Sequence, residues 1–122
     1  MDERRKFIRL NANVVVQWKK VDKENAAIGD TAVSKNVSVG GISLILYDEK
    51  LEIGDIINLE IQLPQEENVF AKGKVVWINE FEIMGQVNKK RYDVGVEFVD
   101  IKELDSNRIK KYVFTFFHEG MF

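Results

Sequence analysis

The chain has no cysteine, and only one histidine and one proline occur among its 122 residues. Without cysteine it has neither disulfides nor thiolate metal ligands, and the lone His118 cannot by itself build a zinc site or a catalytic triad. The remaining residue types offer no nucleophile, acid–base pair or metal-ligand cluster at a suggestive spacing. We therefore expect a protein that is not an enzyme and that binds no metal or cofactor.

Long apolar runs and a marked excess of charge are also missing. No stretch approaches the roughly 20 apolar residues of a membrane-spanning helix, and the charged amino terminus lacks the apolar segment of a secretory signal. A cytoplasmic location is the resulting expectation. With 18 basic and 20 acidic residues the formal charge is −2, which gives no general attraction to nucleic acid or anionic lipid. Any anion site must therefore be local.

Apolar residues are plentiful, at 45% of the chain, and suffice for one compact core. Most alternate with polar residues at a period of two, which predicts half-buried β-strands. The faces formed in this way are Val14, Val16 and Trp18; Ile42, Leu44 and Leu46; Ile57, Leu59, Ile61 and Leu63; Ala71, Val75 and Trp77; and Val94, Val96 and Phe98. A further strand near residues 30–38 brings the number to about six, which favours an antiparallel barrel because closure removes exposed edges.

The carboxy-terminal part of the chain changes to a helical period from Ile101 onward. Asp100 and Glu103 resemble a capping box at its start. The apolar positions at helical spacing are Leu104, Ile109, Tyr112, Val113, Phe116 and Phe117. We predict one domain over residues 1–122, comprising an amino-terminal segment at 1–10, a barrel at 11–100 and a helix at 101–119. The helix is rich in aromatic residues, and we consider both core packing and a homodimer through it.

The densest basic cluster is ERRKFIR, at residues 3–9. Arg5 and Arg9 are four residues apart, so they lie on the same side of either a helix or a strand. Two guanidinium groups facing one ligand suit a phosphate, and each can also stack on a purine or donate to the O6 and N7 edge of guanine. A solvated basic tail is the alternative interpretation.

A second stretch, KNVSVGG at residues 35–41, ends in a glycine pair. On a strand, Asn36 and Ser38 would project from one face and offer two small hydrogen-bonding groups. Gly40 and Gly41 permit positive φ and a close approach of a ligand to the backbone, although glycine pairs also occur in ordinary tight turns. The stretch alone does not separate a binding site from a turn.

Taken together, the two stretches resemble the PilZ domain family of bacterial cyclic di-GMP receptors. Arg5 and Arg9, preceded by Arg4, match an RxxxR element, and Asn36, Ser38 and Gly41 match [D/N]xSxxG about 30 residues later. The YDVGVEF segment at residues 92–98 is similar to the family's GVxF strand. The resemblance extends over the whole chain, including its closing helix.

The resemblance implies a six-stranded barrel that holds cyclic di-GMP on its outer surface. The implied ligand-binding residues are Arg4, Arg5, Arg9, Asn36, Ser38, Gly40 and Gly41. The arginines of a flexible amino-terminal segment would close over guanine and phosphate, Asn36 and Ser38 would read a guanine edge, and the glycines would keep the turn open. Arginine at position 4 further implies two ligand molecules per protomer. Binding would change the receptor's shape and so act on a downstream protein.

Two other functions are compatible with such a barrel. A ligand-independent interaction module would use the arginines on an acidic partner, but such members of the family usually lose the motif residues that this chain keeps. A barrel for single-stranded nucleic acid would need a basic groove lined with aromatic residues, which the net charge of −2 disfavours. The basic run at residues 89–91 is interpreted as a solvated hairpin.

Overall fold

A computed structural model describes residues 7–21, 30–48 and 50–119, with the last three residues described by their backbone alone. Within these ranges the chain forms seven strands and one helix. They are β1 (Leu10–Asn11), β2 (Val15–Lys20), β3 (Asp30–Val37), β4 (Gly41–Leu46), β5 (Ile56–Gln62), β6 (Val69–Glu82), β7 (Lys90–Ile101) and α1 (Glu103–Glu119).

Six of the strands close an antiparallel barrel. The order around it is β3-β2-β5-β6-β7-β4, and pairing of β4 with β3 completes the circuit. The short β1 is additional and pairs with the end of β3, where Leu10 lies opposite Val37. The predicted fold, a six-stranded antiparallel barrel followed by a helix, is confirmed.

The barrel interior is filled by the alternate residues that the sequence pattern assigned to it. The predicted apolar faces of β2, β4 and β5, together with Val14 and Leu63 just outside these strands, are buried. Burial of each aliphatic side chain contributes roughly 1.5–3 kcal/mol. The residues between them face outward, so the outer surface of the sheet is available for a binding site.

Strand β6 departs from strict alternation. Ala71 and Val75 are buried as predicted, but the pairing with β7 shifts between Val75 and Trp77. Such a bulge inserts an extra residue and changes the direction of the side chains that follow. Trp77 is only partly buried and lies on the outer face opposite Gly95, so the prediction that it shares a face with Ala71 and Val75 is wrong.

Helix α1 begins at Glu103, two residues later than predicted. Ile101 is still paired with Ala71 at the end of β7, and the first helical turn closes when the Ser106 N–H donates to the Lys102 carbonyl at 2.9 Å. The proposed capping box is therefore wrong, because Asp100 lies in the strand.

One face of α1 packs against the barrel at β6 and β1. Ile109, Tyr112 and Val113 on this face are buried, and the Tyr112 and Phe116 rings contact each other with centroids 4.8 Å apart. Leu104 was expected to join them but is 62% exposed. Among the described residues, no helix combines the length and apolar character that crossing a membrane requires.

Candidate ligand-binding cleft

A cleft of about 710 Å³ lies on the outer face of the barrel, where β3, β4, β7 and β6 are neighbours. Its lining also includes Phe7 and Arg9 from the segment before β1, and Ser106 from the first turn of α1. This volume lies within the range of about 300–1,000 Å³ that is usual for small-molecule sites.

Most of the residues predicted to bind the ligand meet at this cleft. Arg9, Asn36, Ser38, Gly40 and Gly41 all line it, whereas Arg4 and Arg5 lie outside the described residues. The pairing of β1 with the end of β3 explains this meeting, because it brings the chain after Arg9 alongside Asn36 and Val37. Two stretches far apart in sequence thus contribute to one surface.

Ser38 organises the turn between β3 and β4. Its backbone N–H donates to the Gly41 carbonyl at 2.9 Å, and its Oγ accepts from the Gly40 and Gly41 N–H groups at 3.2 and 3.1 Å. Its hydroxyl also donates to the Gly41 carbonyl at 3.2 Å. The Ser38 hydroxyl is therefore occupied within the protein, where the sequence had suggested a contact to guanine.

Glycine is required at both positions of this turn because neighbouring groups leave no room for a Cβ, and not because the backbone has a positive φ. Neither Gly40 nor Gly41 has a positive φ, so that part of the sequence interpretation is wrong. A Cβ on Gly41 would overlap the Val96 carbonyl oxygen of β7, and a Cβ on Gly40 would overlap the ring of Phe7. The glycines allow a close approach, but in this structure the approaching groups belong to the chain itself.

Two aromatic side chains of the cleft were not recognised from the sequence. The Trp77 indole lies over Gly95, where a Cβ would overlap it, and the Phe7 ring lies on Gly40 with 48% of the residue exposed. Partly exposed rings of this kind can stack on a nucleobase. The three consecutive apolar residues 75–77 interrupt the alternation of β6, and this was the available sign that Trp77 turns outward.

The floor of the cleft contains a row of small and polar residues. Ser43 of β4 pairs with Asn36 of β3 on one side and with Gly95 of β7 on the other. Ser43 is 2% exposed, and its Oγ has no hydrogen-bond partner among the described residues. The row therefore places the Ser43 hydroxyl one strand away from Gly95, on which the Trp77 ring lies, and the Asn36 amide two strands away.

The described lining of the cleft carries one cation and one anion, Arg9 and Glu97. Their formal charges cancel, so this part of the lining has no net attraction for a phosphate. Binding of an anion in this cleft would depend on the orientation of the Arg9 side chain and on any further cations from outside the described lining.

A buried ion cluster adjoins the cleft, one row further along β7. Asp93 is buried between two partly exposed cations, with Lys35 Nζ 3.2 Å from its Oδ2 and Arg91 Nε 2.8 Å from its Oδ1. Burial raises the pKa of Asp93, but hydrogen bonds from Arg91 and Lys35 outweigh this, and the pKa lies below its ordinary value of 3.8. Arg91 is thus held by a buried carboxylate, and the interpretation of residues 89–91 as a solvated run is wrong for this residue.

The PilZ domain family model matches residues 3–115. The PilZ domain of YcgR from Escherichia coli, solved with c-di-GMP, is 16% identical with a TM-score of 0.75, and the match covers 97% of this chain and 95% of that one. The MrkH–c-di-GMP complex of K. pneumonia is 15% identical with a TM-score of 0.78, covering 99% and 56%.

MotI/DgrA, an inhibitor of motility from Bacillus subtilis, is 24% identical with a TM-score of 0.73, covering 93% of this chain and 51% of that one. The chain thus spans about half the length of MotI and MrkH. Comparison with curated proteins gave no significant match. The structural likenesses establish a shared fold, and the family match extends from the basic segment into the helix. The chain therefore belongs to the PilZ domain family.

Proposed function

We propose that this PilZ domain binds cyclic di-GMP in the cleft between the amino-terminal segment and the outer face of β3, β4, β7 and β6. The observation that carries this proposal is the meeting of Arg9 with Asn36, Ser38 and Gly41 around one cleft. Two of the similar PilZ structures, YcgR and MrkH, were solved with c-di-GMP, which supports the choice of ligand.

The chemistry of the described lining suits the bases of this ligand. Trp77 and Phe7 offer ring faces for stacking on guanine, and Asn36 offers an amide for a base edge. Arg9 can form a forked, charge-assisted contact with a phosphate or with guanine O6 and N7. Ser38 and Gly41 contribute indirectly, because they shape the turn that forms one side of the cleft.

Arg4 and Arg5 complete the proposed site. The described lining carries no net charge, whereas cyclic di-GMP brings two phosphates, so further cations are needed to neutralise it. We propose that the amino-terminal segment closes over the ligand and supplies these arginines. A third guanidinium at position 4 would support two stacked ligand molecules, which together bring four phosphates and four bases.

The domain would act as a receptor in the cytoplasm, and not as an enzyme. Its amino-terminal segment would change conformation on ligand binding and thereby alter the surface offered to a downstream protein. Similar structures include an inhibitor of motility and a transcription regulatory factor, so domains of this fold serve different outputs. Homodimerisation through α1 stays a prediction.

Isothermal titration of the full chain with cyclic di-GMP tests the proposal. We expect micromolar or tighter binding, and a roughly 10–150-fold loss for Arg9→Ala, because a hydrogen bond to a charged group contributes about 1.5–3 kcal/mol. Lys19→Ala is the matched control, since Lys19 is a cation of β2 and lies outside the cleft lining. An absence of heat at ligand concentrations far above micromolar would refute the proposal and favour the ligand-independent interaction module.

A further inference from the structure

Ser43 is a buried polar residue whose hydrogen-bonding capacity is unused. Its Oγ is inaccessible to solvent and has no partner within the part of the chain that the structure describes, whereas the large majority of buried polar atoms in native proteins are paired. Ser34, one strand away, shows the usual arrangement: its hydroxyl accepts from the Val14 N–H at 2.9 Å and donates to the Ala12 carbonyl at 2.5 Å. The unpaired hydroxyl of Ser43 therefore calls for a physical explanation.

The position of Ser43 suggests what its partner is. It lines the cleft floor with Asn36 on one side and Gly95, covered by the Trp77 indole, on the other. Directly opposed side chains on neighbouring strands lie about 4.5–5.5 Å apart at Cβ. A base stacked at Trp77 would therefore have Ser43 as its nearest polar neighbour in this row, with Asn36 one strand further away.

The other serine of the turn is not available for this contact. The Ser38 hydroxyl accepts from two backbone N–H groups and donates to the Gly41 carbonyl, so a ligand contact would compete with the turn itself. Ser43 needs to break no bond in order to donate. Of these two serines, Ser43 is the better hydrogen-bond donor to a ligand.

We infer that Ser43 is a ligand-binding residue, whose hydroxyl donates to the O6 or N7 edge of a guanine stacked at Trp77. The inference rests on the proposed function and adds to it a contact outside the RxxxR and [D/N]xSxxG residues. In the free protein the hydroxyl is buried without a partner from residues 7–21, 30–48 or 50–119, which is energetically unfavourable. The ligand supplies that partner once the surrounding side chains open to admit the base.

This role predicts that Ser43→Ala lowers the affinity for the ligand without lowering the stability of the free protein. Removal of an unpaired buried hydroxyl should leave the melting temperature of the free protein unchanged or raise it. Affinity for cyclic di-GMP should fall about 3–10-fold, as expected for one neutral hydrogen bond. Ser34→Ala is the matched control, because it removes a paired buried hydroxyl that does not line the cleft. It should lower the melting temperature and change affinity less than Ser43→Ala does.

The experiment combines thermal melts of the free proteins with titrations of cyclic di-GMP into the wild type and the two variants. Unchanged affinity in Ser43→Ala would overturn the inference while leaving the proposed function intact. A melting temperature that falls as far as in Ser34→Ala would also overturn it, because Ser43 would then be structural. Failure of the wild type to bind would instead refute the proposed function, and the inference with it.

Discussion

Ser38 and Gly41 match the [D/N]xSxxG element, yet in this chain their observed contacts are with the protein itself. Ser38 holds the backbone of residues 38–41, and Gly41 permits β4 to approach the Val96 carbonyl. Arg9 and Asn36 line the same cleft and remain suited to contact a ligand directly. The two motifs therefore combine residues that build the turn with residues that face the cleft.

Two alanine substitutions separate these roles. Arg9→Ala should weaken cyclic di-GMP binding by about 1.5–3 kcal/mol and leave the free energy of unfolding nearly unchanged, because Arg9 is exposed. Ser38→Ala should lower the free energy of unfolding by about 1–2 kcal/mol, because the Gly40 and Gly41 N–H groups lose their acceptor. Urea unfolding and titration of both variants measure these quantities. A Ser38 variant of full stability and reduced affinity would instead make Ser38 a direct ligand contact.

Two elements determine the shape of the cleft: the β3–β4 turn and the β4–β7 pairing beneath it. At Gly41 a Cβ would meet backbone, which cannot move without disturbing the sheet, whereas at Gly40 it would meet the half-exposed ring of Phe7, which can rotate away. Of these two adjacent positions, residue 40 should therefore tolerate a larger side chain better than residue 41 does.

Gly41→Ala should destabilise the protein by about 1–3 kcal/mol, since it forces the two strands apart. Gly40→Ala is its matched control and should change the free energy of unfolding by much less. Chemical denaturation of both variants checks this expectation. Equal destabilisation by the two substitutions would mean that overlap of a Cβ with the backbone at position 41 is not the cause of the loss of stability.

The ion cluster of Asp93, Lys35 and Arg91 links β7 to β3 beside the cleft. It should make the free energy of unfolding depend on pH in the acidic range. The pKa of Asp93 in the folded protein is depressed below 3.8. Its contribution to the free energy of unfolding is therefore fully present above about pH 4 and is lost as the pH falls through the folded pKa. Asp93→Asn should lower the free energy of unfolding by about 1–3 kcal/mol at neutral pH. The effect is no larger because both cations are partly exposed, and water weakens their attraction to the carboxylate. The substitution should also make the free energy of unfolding fall less steeply as the pH drops below 4.

Denaturation of the wild type and Asp93→Asn from pH 7 down to pH 2 measures this dependence. Asp30→Asn is the control, because the exposed Asp30–Lys50 pair, at 2.6 Å, should contribute less. If Asp93→Asn kept the acid dependence of the wild type, the cluster would not be its source.

At the scale of the whole molecule, the sequence pattern predicted the barrel because inward faces at a period of two are a local property of each strand. It also pointed to five residues that line the cleft, but only through the resemblance of the two short motifs to the PilZ family, since neither stretch alone separates a binding site from a turn. Trp77 was missed because a bulge is set by pairing with β7, and Ser43 was missed because it occupies an ordinary polar position within the apolar strand GISLIL. Lys35 and Asp93 are 58 residues apart, and no local pattern connects them.

The number of ligands is also a property of the whole domain, since it depends on the amino-terminal segment and the barrel together. We expect two cyclic di-GMP molecules per protomer for the native chain. Arg4→Leu should shift this toward one with the fold unchanged, because leucine can neither neutralise phosphate nor cover a base as guanidinium does. Titration gives the stoichiometry, and circular dichroism checks the fold. A stoichiometry of one for both proteins would leave Arg4 without this role.

The location of binding is tested most directly by backbone amide chemical shifts recorded while cyclic di-GMP is titrated into the ¹⁵N-labelled full chain. If cyclic di-GMP binds in the cleft, the largest shifts should fall at residues 7–9, 36–43 and 95–98, which surround it. Gln17 and Thr31, which lie outside the cleft lining on β2 and β3, should serve as unaffected internal references. Saturable shifts centred on Gln17 and Thr31 with the cleft unchanged, or no shifts at millimolar ligand, would show that cyclic di-GMP does not bind in the cleft.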